Sequence, residues 1–375
     1  MGRIEEIREK IDSIDKQLVN LFEERFLLSR EVAEFKIETG QKILDRNREK
    51  QKIDSIEAMI KNVKDKELVE EIFRQMMDLS RKVQYGMIVE NKPEETGFVK
   101  SDEIEKTGKR VVYQGVPGAY SHEAMLKYFG TEVDSFAVNL WREAMEALKN
   151  GDADYAVLPI ENSSAGIVNE IYDLLVEYEF SMVEEITIKV SHALMGVKGT
   201  NIQEIETVYT HPQGFAQCGE FLCQHRNWEL IPLNNTAVSA LKVSKENDKT
   251  KAAIASPLAA EIYGLEIFEK NIIDSDINTT KFIVVSKDKI YKKDAKKIMV
   301  SFELSHESGS LYRMLSHFIF NRLNMTKIES RPIPSRKWEY RFFVEFEGNL
   351  KDLNTATALK GISEEAISIK LMGNY

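Results

Sequence analysis

The chain has 375 residues, 43% of them hydrophobic and 30% charged, and a net charge of −10. That length supports two or three domains with ample core, and the acidic balance disfavours nucleic acid or an anionic membrane as partner while leaving small anions to local Arg and Lys. Its two cysteines, Cys218 and Cys223, fit a reducing compartment and are too few for structural zinc, and no apolar run approaches a membrane span. The opening Met1-Gly2-Arg3-Ile4-Glu5-Glu6 holds neither a signal core nor a myristoylation pattern. We expect a cytoplasmic protein without metal or cofactor.

From Ile4 the chain runs Ile7, Ile11, Ile14, Leu18, Leu21, Arg25, Leu28, Val32 and Phe35, a 3-4 spacing that predicts a long helix with one apolar seam. Arg25 is the only polar member. A guanidinium in such a seam needs compensation, either by an acid on a neighbouring helix or by an anionic ligand. Arg8 and Lys36 lie one residue past seam positions, on one flank of the same helix. After the break at Gly40, Asp45, Arg48 and Glu49 are expected on one face of a second helix, and Ser80 and Gln84 on one face of a third. Arg8 and Arg25 are 17 residues apart, about 25 Å along a helix, so one small ligand reaches both only if a second chain contributes.

Residues 1–90 resemble the all-helical chorismate mutases. The match runs through Ile7-Arg8-Glu9-Lys10-Ile11, Glu23-Glu24-Arg25, Phe35-Lys36, Asp45-Arg46-Asn47-Arg48-Glu49 and Ser80-Arg81-Lys82-Val83-Gln84. The resemblance implies a pocket for chorismate lined by Arg8 of one protomer and by Arg25, Lys36, Asp45, Arg48, Glu49, Ser80 and Gln84 of the other, with rearrangement to prephenate. Arg25 and Arg8 would clamp carboxylates, and Lys36 and Gln84 would donate to the ether oxygen, where charge builds as the C–O bond breaks.

Residues 91–107 read as a polar linker, and the Lys- and Asp-rich stretch at 288–297 as a second one. Between them apolar runs hand over to helices through polar junctions: Gln114–Ser121, Glu161–Gly166, His211-Pro212-Gln213 and Ser256-Pro257. Each puts unpaired N–H groups and Ser, Thr or Asn side chains at a helix start; singly these are caps, and together they describe loops converging on one anion-binding cleft of an α/β sheet. Asn278-Thr279-Thr280-Lys281-Phe282 brings a hydroxyl and a ring to the same place. His211, before Pro212, is expected to be bonded to backbone rather than to act as a base. Cys218 and Cys223 are expected on different faces of the helix after Pro212.

Residues 108–287 resemble prephenate dehydratase through Tyr113–Ser121, Pro159-Ile160-Glu161-Asn162-Ser163, His211-Pro212-Gln213 and Asn278–Phe282, in family order. The resemblance implies two α/β lobes like those of periplasmic binding proteins, with the active site in the crevice, and loss of carbon dioxide and hydroxide from prephenate to give phenylpyruvate. Thr280 is carried over as essential, as proton donor or as the group positioning the leaving hydroxyl. Glu161, Asn162, Ser163, Thr210 and Gln217 would surround the substrate, and Phe282 would wall the ring. The family usually has Arg where this chain has Lys281. That change weakens carboxylate binding if Lys281 faces the substrate and is harmless if it points outward.

From Ile298 the pattern reads strand (298–304), helix (310–321), strand (327–331), strand (340–346), helix (350–360), strand (366–372), a βαββαβ order. Residues 298–375 resemble the ACT regulatory domain that closes this dehydratase family. The ligand-contact segment is Glu329-Ser330-Arg331-Pro332, and Gly309-Ser310-Leu311-Tyr312 stands where the family has Gly-Ala-Leu-Val. The implied effector is L-phenylalanine at a subunit interface, contacting Gly309 and Leu311, with Tyr312 crowding the site.

The expected fold is therefore multidomain: an all-α mutase domain forming an intertwined dimer, an α/β two-lobed dehydratase domain and an α+β ACT domain. The expected assembly is a homodimer or higher homo-oligomer. Two other readings stand beside it: a mutase fused to a non-catalytic amino-acid-sensing module, and a dehydratase that takes arogenate.

Overall fold

The structure, a computed structural model, describes residues 2–92, 95–333 and 336–375. Met1, together with Pro93 and Glu94 of the expected first linker, lies outside the described residues. Three helices come first: α1 (Arg3–Thr39), α2 (Arg46–Glu57) and α3 (Lys66–Asn91). Gly40 ends α1 in the left-handed region at φ 67°, a conformation glycine adopts without strain. Asp45 is not on the face of α2 but caps it, its carboxylate accepting the Arg48 N–H at 2.9 Å. An Asp that satisfies a first-turn N–H outside the helix removes one of the orphan donors a helix start carries.

The middle of the chain follows as β1 (Val99–Ser101), β2 (Arg110–Gln114), α4 (Tyr120–Phe129), β3 (Asp134–Val138), α5 (Trp141–Asn150), β4 (Tyr155–Asn162), β5 (Gly166–Ile167), α6 (Asn169–Tyr178), β6 (Ser181–Lys189) and β7 (Ala193–Gly196). Then come β8 (Thr207–Thr210), α7 (Pro212–Gln217), α8 (Gly219–Leu222), β9 (Glu229–Pro232), α9 (Thr236–Glu246), β10 (Lys251–Ala255), α10 (Pro257–Tyr263), β11 (Glu266–Glu269), β12 (Thr279–Ser286) and β13 (Ile290–Lys292). The last stretch holds β14 (Lys297–Glu303), α11 (Ser310–Phe320), β15 (Met325–Pro332), β16 (Tyr340–Glu347), α12 (Leu353–Glu365) and β17 (Ser368–Asn374). The second of these helices starts later than the apolar pattern suggests, because a turn closed by Asp352 N–H to the Asn349 carbonyl at 2.9 Å precedes it.

The chain forms two compact units, Met1–Gly97 with Lys296–Leu371, and Phe98–Ala295 with Met372–Tyr375. In the first, α3 presents Ser80, Gln84 and Tyr85 to its surroundings as buried residues, and the βαββαβ portion folds around Val300, Phe302, Phe318, Val344 and Phe346, all at most 1% exposed. β15 pairs with β16 and β16 with β14, each antiparallel.

In the second unit β6, β12, β4, β2 and β3 lie side by side as one sheet over a core of Val111, Met125, Val157 and Val284. A second sheet, ordered β11-β7-β10-β8-β9, packs α9 and α10 against Met195, Ala253 and Ala255. These are two α/β lobes. The stretches read as linkers contribute structure: β1 and β13 pair in parallel, Val99 opposite Ile290, and Ile104 and Tyr291 are buried. Short β-paired segments with so few apolar residues carry too little pattern to be seen in sequence. Among the described residues no helix is long and apolar enough to cross a membrane.

Candidate active sites

The α1 seam is not the face that packs within the chain. Ile4, Ile7, Ile11, Ile14, Leu18, Leu21, Leu28, Val32 and Phe35 are all exposed, between 39% and 59%, while Ser29 and Ala33, each one residue on from the seam, are buried. Arg25 sits at the border of the two faces. Its Nη1 donates to Ser80 Oγ at 2.6 Å and to the Met76 carbonyl at 3.4 Å, and among the described residues no carboxylate pairs with it. Burial lowers its pKa, as desolvation does for any cation. Within this chain its neighbours are a hydroxyl and a carbonyl.

Gln84, one turn beyond Ser80 on α3, is 7% exposed; its amide nitrogen reaches Ser29 Oγ at 3.4 Å, and its Oε1 has no hydrogen-bond partner. Lys36 donates to the Ile43 carbonyl at 2.7 Å. Burial lowers the Lys36 pKa, and the negative charges of Asp45 and Glu49 oppose that shift. Glu49 also pairs with Arg81. Arg8 and Arg48 are exposed. One chain therefore gathers Arg25, Ser80, Gln84 and Ser29 at the α1–α3 contact and Lys36, Asp45 and Glu49 at the α1–α2 turn, and leaves Arg8 far along α1.

The second unit holds a cavity of about 580 Å³ walled by both lobes. Asn162, at the end of β4, and Thr280 and Phe282, on the neighbouring β12, line one side, and Gln217, His211 and His192 the other. The Asn162 amide is fixed at both ends. Its Oδ1 accepts the backbone N–H of Ser164 at 3.0 Å and of Ala165 at 2.9 Å, so the Nδ2 end must face Thr280 Oγ1 and Asn278 Oδ1, each at 2.9 Å. Thr280 Oγ1 accepts from that amide, which leaves its own proton to be donated elsewhere.

Across the cavity, His192 Nε2 lies 3.0 Å from Gln217 Oε1, and its Nδ1 lies 3.1 Å from the Tyr120 hydroxyl, which donates to the Ser191 carbonyl at 2.8 Å. Gln217 Nε2 donates to Ser164 Oγ at 3.0 Å, so its carbonyl end faces the histidine. Burial pushes the His192 pKa down, which favours neutral imidazole. His211 is bonded to backbone, accepting the Gln213 N–H at 3.1 Å as the cap of α7. Cys218 is buried and Cys223 exposed, and the chain breaks into two short helices at Cys218.

Three residues expected around the substrate stand elsewhere. Thr210 is fully buried, its hydroxyl donating to the Ile254 carbonyl at 2.7 Å. Glu161 and Lys281 lie 3.8 Å apart, with Glu185 3.7 Å from the same lysine. Neighbours along a strand point to opposite faces, so Lys281 is turned away from the wall that Thr280 and Phe282 form. Ser163 bonds to backbone, accepting the Thr279 N–H at 3.0 Å. Sequence reading missed His192 and Trp141, whose indole Nε1 is buried without a partner on the cavity wall. It also missed Asn235, the cap of α9, although Asn234-Asn235-Thr236 is a strand-to-helix junction like the other four.

The candidate effector residues divide. Gly309 caps α11 at φ 78° and, with Ser310 and Tyr312, borders a cavity of about 660 Å³ shared with Glu49 and Arg81. Leu311 packs instead into the domain core. Glu329, Ser330, Arg331 and Pro332 lie on β15 and do not border that cavity.

Residues 111–290 match the family described as prephenate dehydratase, and residues 7–85 that described as chorismate mutase type II. A helical mutase unit joined to a two-lobed dehydratase defines a class of two-activity enzymes. The bifunctional chorismate mutase/prephenate dehydratase of Enterobacter agglomerans is 32% identical, with 98% of this chain and 95% of that protein covered. That of Escherichia coli strain K12 is 30% identical, with the same shares covered. The solved structure of prephenate dehydratase from Arthrobacter aurescens in complex with L-Phe is 27% identical, with a TM-score of 0.66 over 71% of this chain and 89% of that one. The chain belongs to the family of bifunctional chorismate mutase/prephenate dehydratases.

Proposed function

We propose that this chain converts chorismate to prephenate in its helical portion and prephenate to phenylpyruvate in the two-lobed cleft. The observation that carries the second step is the Asn162–Thr280 pair. An amide locked by two backbone N–H groups donates into Thr280 Oγ1 and leaves the threonine proton free to be donated elsewhere. Hydroxide is a poor leaving group, and a donor there lets the ring hydroxyl depart as water while the C–C bond to the carboxylate breaks and its electron pair completes the aromatic ring. Phe282 walls the ring side. His192, Gln217 and Tyr120 form a neutral bonded set suited to holding polar groups of the substrate.

The first step is pericyclic and needs placement rather than proton transfer. Arg25 serves as a carboxylate clamp, and Lys36 and Gln84 as donors to the ether oxygen. Arg8, Asp45, Arg48, Glu49 and Ser80 complete the pocket, with Arg8 supplied by a second copy of the chain. The exposed seam of α1 supports this pairing, because a row of large apolar side chains along one helix is costly to leave in water. The protein then works as a homodimer or larger homo-oligomer, organised as mutase (1–90), dehydratase (108–287) and ACT-like (298–375) portions.

L-Phenylalanine is the proposed effector of the C-terminal portion, held at a subunit interface between Gly309 at the start of α11 of one protomer and the Glu329–Pro332 segment of its partner, a reading supported by the L-Phe complex of the Arthrobacter aurescens relative. The deciding experiment follows phenylpyruvate formed from chorismate, with and without L-phenylalanine. Thr280→Ala is expected to let prephenate accumulate while its formation continues. Phenylpyruvate production at the parent rate by Thr280→Ala would refute the assignment.

A further inference from the structure

The bonds around Asn162 have a direction that extends well beyond it. Its Oδ1, which accepts two backbone N–H groups, also lies 2.7 Å from Ser164 Oγ. A carbonyl oxygen only accepts, so the Ser164 hydroxyl donates to Asn162, and Ser164 Oγ is left to accept from Gln217 at 3.0 Å. That orients the Gln217 amide with Oε1 toward His192. This oxygen also only accepts, so His192 Nε2, 3.0 Å away, carries a proton. In the neutral ring that burial favours, Nδ1 is then the acceptor, facing the Tyr120 hydroxyl at 3.1 Å. Two backbone N–H groups at one end thus decide the sense of every bond back to the histidine.

We propose that His192 and Ser164 are positioning residues of the dehydratase, members of a one-way chain of donors that runs from His192 through Gln217, Ser164 and Asn162 to Thr280 and strengthens the threonine as a donor. This deepens the reading of the cleft given above and rests on it. Each member between the ends accepts one hydrogen bond and gives the next, and bonds aligned in this way polarise one another. No proton travels along the chain, because two of its members are amides. It acts by fixing Thr280 Oγ1 as an acceptor toward Asn162, so that the threonine proton serves the departing hydroxyl.

The chain also joins the lobes. Gln217 is on α7, in the lobe built on the β11-β7-β10-β8-β9 sheet, and Ser164 is in the turn between β4 and β5 of the other. The bond between them exists only while the lobes are close, which ties the state of Thr280 to a closed cleft. The far end is held by backbone: Ile272 N–H donates to the His192 carbonyl at 3.0 Å and Asp274 N–H to the Gln217 carbonyl at 2.8 Å, both from the segment leading from β11 to β12. The Asp274 carboxylate accepts the Gly219 and Glu220 N–H groups at 2.9 and 3.1 Å, which fixes the chain just beyond Gln217. His192 is thus a buried, fixed head, and Ser164 is an exposed link whose hydroxyl can be removed without disturbing the core.

The test is steady-state kinetics of the full-length protein on prephenate, for Ser164→Ala, Ser164→Thr, His192→Phe and His192→Gln. Ser164→Ala and His192→Phe are expected to lose kcat by about 10-fold, the equivalent of one hydrogen bond, with KM little changed. Ser164→Thr and His192→Gln keep a donor at the same place and should retain most of the parental kcat. In an Asn162→Leu background Ser164→Ala should cost nothing more, since the chain is already cut. Parental kcat in Ser164→Ala and His192→Phe would overturn the proposal. So would a rise in KM alone, which marks a contact with substrate, or a full further loss on the Asn162→Leu background. If thermal melts show that His192→Phe has unfolded, the Ser164 pair and the double variant decide. Thr280→Ala, run beside them, separates the two levels: dehydratase activity surviving there refutes the reading of the cleft, whereas its loss together with parental kcat in Ser164→Ala refutes the chain alone.

Discussion

Asn162 and Thr280 sit on neighbouring antiparallel strands, opposite each other in register, and the asparagine amide donates to the threonine hydroxyl over 2.9 Å. The direction of that bond matters more than its length. It makes Thr280 Oγ1 an acceptor toward Asn162 and leaves the hydroxyl proton free to be donated elsewhere.

Asn162→Leu should therefore cripple the dehydratase while Thr280 remains in place. We expect kcat to fall by about 100-fold, the size of a lost oriented donor, with a smaller change in KM and no change in mutase rate. Steady-state kinetics on prephenate checks this, and parental kcat would show that Thr280 needs no such partner.

For the mutase, Gln84→Glu replaces an amide that donates at every pH by a carboxyl that donates only when protonated. A carboxyl titrates near pH 4.3 in water and higher when buried. Mutase activity of the variant should rise as pH falls through that range, whereas the parent shows no such step. A pH–rate profile of the variant matching the parent would exclude Gln84 as the donor.

Glu365 predicts an acid-labile first unit. Burial pushes its carboxyl up, but His317 and Arg81 outweigh this and hold it down at about 2, against an ordinary value of 4.5. A depressed carboxyl binds fewer protons folded than unfolded, so its stabilisation is present above about pH 4.5 and is lost as pH falls toward 2. Urea midpoints of the helical signal should drop over that window, and Glu365→Gln should flatten part of the slope.

The exposed seam on α1 carries its own prediction. Leu18→Glu with Leu21→Glu places two charges where a partner helix would seat and should shift the sedimenting species toward monomer with loss of mutase activity. An unchanged sedimentation coefficient together with full mutase activity would remove the second chain from the pocket.

Much of this was visible in the sequence where chemistry and periodicity coincide. The first mutase helix follows from apolar spacing, the second and third from polar residues sharing a helix face, and the cleft from polar residues gathered at strand ends. Thr210 shows the limit: a hydroxyl at a strand end faces either the ligand or the core, and only the Ile254 carbonyl beside it decides which. His192 escaped notice because a lone histidine before a strand carries no pattern; its meaning comes from Gln217 and Tyr120, supplied by α7 and α4. The Arg81–Glu365 bond joins residues 284 positions apart, and no local rule reaches that far.

The separation of Arg8 from Arg25 along a single rod-like helix has a genetic corollary. Chains disabled at one arginine and chains disabled at the other, each inert as a mutase alone, should complement when unfolded and refolded together. Random pairing of equal amounts would rebuild one intact pocket in each mixed dimer and restore about a quarter of the original activity.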